Sequence, residues 1–210
     1  MKKMVFVTGA AGFVGSHMVP MLLKHGYLVT ALVRSRLEKK NLPKGADVVV
    51  GDLAKYGNWA SKLKDHHTII HLAAEISSKD ARAFKRNNVM ATANLIKAAR
   101  RARISKIILF SSAAVTSIRR ADYANTKAEQ EKIVKDSRIA HHIIRPSMIY
   151  GPGDTKNIGW LIKIVSILPI IPLPGGGVFG RQPVYVDDIC SILLKLMSTD
   201  LPQEIFEIHG

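Results

Sequence analysis

Met4-Val-Phe-Val-Thr8-Gly9-Ala-Ala-Gly12-Phe13-Val14-Gly15-Ser-His17 begins as a short apolar run and breaks into three glycines spaced three apart. Apolar side chains then recur at Val14, Met18, Leu22 and Leu23, the spacing of one helix face. The reading is strand, tight turn, helix. Such a turn aims backbone N–H groups and the positive end of a helix dipole at a pyrophosphate, and a side chain at a glycine position would block close approach. The spacing is G-x-x-G-x-x-G, not the G-x-G-x-x-G of the usual dinucleotide fingerprint, and Thr8 belongs to the same variant. Thr8, Gly9, Gly12, Phe13, Val14 and Gly15 are therefore the first candidates for cofactor contact.

Beyond this unit, apolar β-branched runs at 28–33, 47–50, 68–72, 106–111 and 142–145 alternate with helical patterns at 56–63, 81–103 and 123–138. Strand alternating with helix implies an α/β fold, a Rossmann-like doubly wound parallel sheet with helices on both faces and ligands beyond the carboxyl ends of the strands. Chemistry-bearing residues fall at those ends: Arg34 after the second strand, Asp52 after the third, Leu72 to Ala74 at the fourth, Ser111 and Ser112 at the fifth, Pro146 at the sixth. After Tyr150 the texture changes to Gly-Pro-Gly-Asp, an apolar run and Leu-Pro-Gly-Gly-Gly. Residues 1–146 are expected to form the nucleotide-binding core. Residues 147–210 are expected to add a small substrate-side lobe and closing elements, not an independent domain.

The 210 residues, 47% of them apolar, suit one substantial core. A lone cysteine, Cys190, excludes an intramolecular disulfide framework and fits a reducing compartment. Lys2 and Lys3 precede only four apolar residues, so no export signal is expected at the start. The longest apolar stretch, 160–173, is interrupted by Lys163, Pro169 and Pro172; it is too short and broken to span a bilayer but suited to packing under a lid or against a membrane surface. A cytoplasmic enzyme is the expectation. The formal net charge of +15 raises the local concentration of anions, including phosphorylated cofactors and substrates. The basic residues are scattered with few aromatics among them, so nucleic acid is not the expected partner. No metal is expected in the site.

Tyr123 and Lys127, at i and i+4, share a helix face, and Ser112 precedes them by one loop. A phenol titrates near pH 10 in water, so it acts as a base near neutrality only beside a cation. Lys127 and the positive ring of an oxidised nicotinamide would supply one. In oxidation Tyr123 would take the hydroxyl proton while hydride leaves to the cofactor; in reduction it would return the proton, with Ser112 holding the substrate oxygen.

With these residues in order, the chain resembles the extended short-chain dehydrogenase/reductases, the NAD-dependent epimerase/dehydratase family. The elements are Thr8-Gly-Ala-Ala-Gly-Phe-Val-Gly15, Gly51-Asp52-Leu53, His71-Leu-Ala-Ala74, Asn88-Val89, Phe110-Ser-Ser112, Tyr123 to Lys127, Arg145-Pro146, Tyr150-Gly-Pro-Gly153 and Val184-Tyr-Val-Asp-Asp188. The resemblance implies that Asp52 and Leu53 hold the adenine edge, that Leu72, Ala73, Ala74 and Pro146 line the cofactor, and that Asn88 shapes a water chain. It implies Ser112, Tyr123 and Lys127 as catalytic residues, Glu75, Met148 and Arg181 on the substrate side, and a homodimer through helices 81–103 and 123–138.

Selectivity for NAD usually needs an acid at the end of the second strand. Val33 stands there, followed by Arg34 and Arg36, guanidiniums suited to a 2′-phosphate, so NADP is favoured over NAD. The leading expectation is hydride transfer at a secondary alcohol or ketone, nucleotide sugars included. Against simple transfer from sugar-nucleotide enzymes, Met148 and Ile149 occupy the place of a polar contact and the loop from Ser112 to Tyr123 is short. Ala113-Ala114 in place of an acid–base pair disfavours dehydration. Two alternatives stand: an NADPH-dependent reductase of a small or apolar ketone, and a non-catalytic NAD(P)H-binding subunit or sensor.

Overall fold

The computed structural model describes residues 3–118, 121–156, 158–168, 182–199 and 202–210. Seven parallel strands form the main sheet: β1 (Met4–Thr8), β2 (Leu28–Val33), β3 (Asp47–Val50), β4 (Thr68–His71), β5 (Lys106–Phe110), β6 (Ala140–Pro146) and β9 (Ile205–Ile208), in the order β3-β2-β1-β4-β5-β6-β9. The order reverses between β1 and β4, which opens a crevice at the carboxyl ends of those two strands. This is the parallel Rossmann-like sheet that the alternation predicts.

Successive side chains of a strand point to opposite faces, and β1 feeds both layers of the core. Val5 and Val7 pack with Met18 and Leu22 of α1 (Phe13–Lys24) and with Ile189 and Leu193 of α6 (Val186–Ser198). Phe6, on the other face, packs with Leu95 and Ala99 of α3 (Ala91–Arg101) and with Trp59. The second layer also holds Val134 of α4 (Asp122–Lys135), and α3 and α4 touch. A small two-stranded sheet, β7 (Ile149–Tyr150) with β8 (Val184–Tyr185), stands beyond the end of β6.

Two helical readings change in form. The pattern at 56–63 forms only a 3-10 turn, Asn58–Leu63, whose Trp59 and Leu63 are buried. The pattern at 81–103 is three pieces without a break: α2 (Ala81–Phe84), a π-helical segment (Lys85–Met90) and α3. Arg103 has a positive φ of 55° and turns the chain toward β5. After 182, α6 and β9 complete the main layers, while α5 (Ile158–Val165) lies outside them with no buried residue.

Candidate active site

The glycine turn sits at the switch point of the sheet. Gly9 has φ +66°, and a Cβ there would lie 2.7 Å from the Ala73 nitrogen. At Gly15 a Cβ would lie 2.3 Å from the Gly9 carbonyl oxygen, so the first turn of α1 seats directly on the loop. The loop thus lies flat under the crevice with its backbone exposed to a ligand. A tight glycine turn opening a helix at the sheet's switch point, packed this closely on its own backbone, fits a dinucleotide pyrophosphate.

Two cavities flank this loop. The smaller, about 290 Å³, is lined by Gly9, Gly12, Arg34, Asp52, Leu53 and the Leu72 to Ala74 segment, as expected for the adenosine side. Glu38 and Asn87 also line it, which the sequence reading missed. Glu38 lies in a 3-10 turn (Arg36–Asn41) and its carboxylate accepts the Arg34 backbone N–H at 2.9 Å. Asp52 pairs with Arg86 of the π-helical segment and caps the Ala54 N–H at 3.0 Å.

The larger cavity, about 1050 Å³, is lined by Gly9, Phe13, Val14 and Gly15 on one side and by Ser112, Tyr123, Lys127, Pro146 and Met148 on the other. The serine, tyrosine and lysine therefore meet across one space with the glycine turn. Its outer wall adds Ile76, Ser77, Ser117, Ile149, Lys156, Gln182 and His209. Apart from Ile149, no motif spacing points to these residues, because they converge from separate connections.

Burial pushes the Tyr123 phenol above its ordinary value, and a hydrogen bond with Ser112 opposes that shift. Lys127 is 1% exposed and donates from Nζ to the Phe110 carbonyl at 2.6 Å. Burial brings its ammonium down to about 7, against the opposing field of Glu131. Glu131, four residues on, is buried and fully coordinated: Oε1 accepts from Ser111 Oγ at 2.6 Å and Arg145 Nε at 2.8 Å, Oε2 from Arg145 Nη2 at 2.7 Å. Burial alone would raise this carboxyl, but Arg145 and Ser111 outweigh it and hold it below the usual range.

A second buried network ties the glycine loop to α4. Thr92 Oγ1 donates to the Asn88 carbonyl at 2.7 Å and so must accept from His71 Nε2, 2.9 Å away, and from Gln130 Nε2 at 2.6 Å. That fixes the His71 proton on Nε2, leaving Nδ1 to accept from Thr8 Oγ1 at 2.7 Å. The Thr8 hydroxyl in turn accepts the Ala73 N–H at 3.3 Å. Thr8 is thus wholly committed inward and lines neither cavity; it holds the loop where cofactor contact was expected of it. Asn88 is fully buried, exchanging bonds with the Glu75 backbone at 2.7 and 3.1 Å and donating to Thr126 Oγ1 of α4 at 3.0 Å. Both it and Glu75 lie outside the cavity walls, Glu75 turning its carboxylate to Asn87 at 3.1 Å. Arg36 is exposed and lines neither cavity. Arg181 lies outside the described residues. His17, 2.7 Å from Asp187 and 2.8 Å from the Pro152 carbonyl, fastens α1 to α6 and to the Gly-Pro-Gly loop.

The pattern of the NAD dependent epimerase/dehydratase family matches residues 5–208. The chain belongs to that family. UDP-glucose 4-epimerase of Vibrio cholerae is 32% identical over 92% of the chain and 66% of the relative. Ceramide reductase of Caulobacter vibrioides is 32% identical over 80% of the chain and 53% of the relative. The chain thus spans between half and two thirds of these curated relatives. Among solved structures, UDP-glucuronic acid 4-epimerase from Bacillus cereus in complex with UDP-glucuronic acid and NAD superposes with a TM-score of 0.86 at 25% identity, over 99% of this chain and 77% of that one. The family's relatives include both epimerases and reductases, and solved neighbours hold NAD. Among the described residues no helix is long and apolar enough to cross a membrane, and no cluster of His, Cys, Asp and Glu is suited to a metal.

The buried groups are expected to make stability acid-sensitive. Burial, with the Lys127 charge adding to it, lowers His71 to about 3, whereas an unfolded histidine titrates near pH 6.5. Between those values the unfolded chain binds more protons, so stability falls as pH falls. Glu131, lowered in the fold, acts in the same direction: its contribution is present above the ordinary glutamate range and lost as pH drops through its folded value. The unfolding midpoint is expected to fall steadily from pH 7 to pH 4, each kcal/mol lost lowering it by about 2–4 °C. Calorimetric scans across that range check this; a flat midpoint would contradict it.

Proposed function

We propose that this chain transfers hydride between NAD(P)(H) and a secondary alcohol or ketone, with Ser112, Tyr123 and Lys127 as its catalytic residues. The observation that carries the reading is the meeting of those three side chains with the glycine loop around one cavity. When bound, the nicotinamide supplies or accepts the hydride. Ser112 orients the substrate oxygen, Tyr123 exchanges its proton with that oxygen, and Lys127 sets the field at the phenol while holding the cofactor ribose. Asn88 acts through Thr126 and the Glu75 backbone, so its place is positional. The similarity to UDP-sugar epimerases supports a nucleotide sugar as substrate.

A second reading, reduction of an apolar ketone, is favoured by the cavity wall. Ile76, Met148 and Ile149 face the substrate space, and a phenol held protonated by burial is ready to give a proton to a carbonyl. The ceramide reductase similarity supports it as well. Single-turnover assays separate the two: NADPH oxidised and NADP+ released as an apolar ketone becomes an alcohol supports reduction, whereas a UDP-sugar converted without net cofactor change supports epimerisation.

For the cofactor, NADP(H) is the proposed preference, carried by Arg34 alone, since Arg36 does not line the cavity. Glu38 faces the same cavity and opposes a 2′-phosphate. Titration calorimetry is expected to show an NADPH preference that falls about tenfold in Arg34→Ala, as for loss of a charge-assisted bond of 1.5–3 kcal/mol partly screened by solvent. Glu38→Gln should sharpen the preference. NADH binding tighter than NADPH in the wild type would overturn this choice. The cytoplasm is the proposed setting and a homodimer through helices 81–103 and 123–138 the proposed assembly, which light scattering tests.

A further inference from the structure

Among the described residues Glu131 is the one buried acid and Lys127 the one buried lysine or arginine, and they stand four apart on α4. With Tyr123 they recur every fourth position and so share one helix face. Tyr123 and Lys127 line the larger cavity, whereas Glu131 lines neither. No step of hydride transfer passes through it. Stability alone does not account for it, because apolar side chains in place of a buried ion pair often hold a fold as well or better.

Its contacts fix where its charge sits. Ser111, whose hydroxyl donates to Oε1, stands between Ser112 and Phe110, whose carbonyl takes the Lys127 ammonium. Arg145, which donates to both carboxylate oxygens, directly precedes the lining residue Pro146. These two strand ends are joined to each other, the Ser111 N–H donating to the Ile144 carbonyl at 2.7 Å. The ends of β5 and β6 thus hold one carboxylate against the face of α4 that carries Lys127.

The other ionisable groups around Lys127 do not supply that charge. Burial raises the Tyr123 phenol on the same helix and keeps it neutral. His71 of β4 is lowered to about 3 and is neutral as well. Arg145 of β6 is a cation, shared with the exposed Glu207 at 3.3 Å, and Lys135, 3.9 Å from Glu131, is another. Lys156 and His209 belong to the exposed outer wall of the cavity.

We infer that Glu131 is a positioning residue of this site, acting by its charge on Lys127. The inference rests on the hydride-transfer reading for what Lys127 does, but its test reads Lys127 itself and needs no substrate. A failure of that reading shows in isotope transfer and leaves the lysine titration unmoved.

The full chain is labelled with carbon-13 at the lysine Cε and titrated by NMR from about pH 5 to about pH 9, around and below the ordinary lysine range. The Lys127 signal is the one missing from Lys127→Met. In the wild type it should titrate well below the other lysines, near the value of about 7 to which burial brings it. In Glu131→Gln the midpoint should fall further, by about one pH unit or more. The direction is decisive, because a variant that merely loosens the packing admits water and raises the midpoint toward the ordinary lysine value. If the single change unfolds the chain, Glu131→Met with Arg145→Met removes both partners of the ion pair together and should lower the midpoint as well. NADPH affinity, read by calorimetry, should follow the charged fraction of Lys127. One pH unit taken from a midpoint of about 7 weakens binding about fivefold at pH 7 and about twofold at pH 6. A Lys127 midpoint unchanged or raised in the folded variant, or an equal loss of NADPH affinity at both pH values, would overturn the proposal.

Discussion

Replacing Tyr123 by phenylalanine is expected to lower kcat by about 10²–10⁴-fold, the range for removal of a general acid or base. Cofactor affinity should stay unchanged, because the phenol oxygen faces the substrate space while the pyrophosphate cradle is backbone. The change removes one oxygen from a ring that packs 6.4 Å from Phe84, so the fold should hold. Lys127→Met should behave differently. It removes a buried cation that donates to the Phe110 carbonyl, so both cofactor affinity and kcat should fall. Steady-state kinetics beside calorimetric cofactor titration distinguish the two. Equal activity of Tyr123→Phe and wild type would remove the phenol from the reaction and favour a non-catalytic binding role.

Gly15→Ala is expected to abolish measurable dinucleotide binding and to lower stability. The new methyl would sit 2.3 Å from the Gly9 oxygen and 2.6 Å from the Ala10 oxygen, distances that only a displaced loop can relieve. Overpacking of this kind costs about 1–3 kcal/mol, hence a midpoint lower by about 2–4 °C per kcal/mol. The same displacement lifts the Gly9 to Gly12 backbone out of the plane that a pyrophosphate requires. Gly26→Ala is the comparison, since that glycine has a positive φ of +79° but a Cβ there meets nothing within 4 Å. It should lose some stability through backbone strain alone and bind cofactor normally. Thermal unfolding with and without NADPH reads both effects.

The sheet was legible because each strand carries its own apolar run and each end its own punctuation. β1, β2 and β3 have the bounds the pattern predicts, and the glycine turn, Ser112, Tyr123 and Lys127 converge as their spacing implies. Boundaries slipped where tertiary contacts decide. The 56–63 helix shrank to a 3-10 turn because burying Trp59 and Leu63 needs only one turn. A 3.6-residue period cannot show the π-helical widening at Lys85–Met90, although that segment aims Arg86 at Asp52, Asn87 at the smaller cavity and Asn88 at α4. Glu38 carries no positional signal, because it reaches the cavity only after a turn folds it back on Arg34. The cluster of Glu131, Arg145 and Ser111 beneath Lys127 joins three elements distant in sequence, so its existence follows from the sheet and not from any local motif.

The most direct test of hydride transfer at this site is a pair of single-turnover assays: NAD(P)H deuterated at the transferable position with apolar ketones, and oxidised NAD(P) with UDP-sugars deuterated at the carbon to be oxidised. Deuterium recovered in the product or passed through the bound cofactor, with a primary isotope effect and loss of the reaction in Tyr123→Phe, is the predicted result. Tight cofactor binding with no deuterium transfer with either substrate class, and no difference between wild type and Tyr123→Phe, would contradict it.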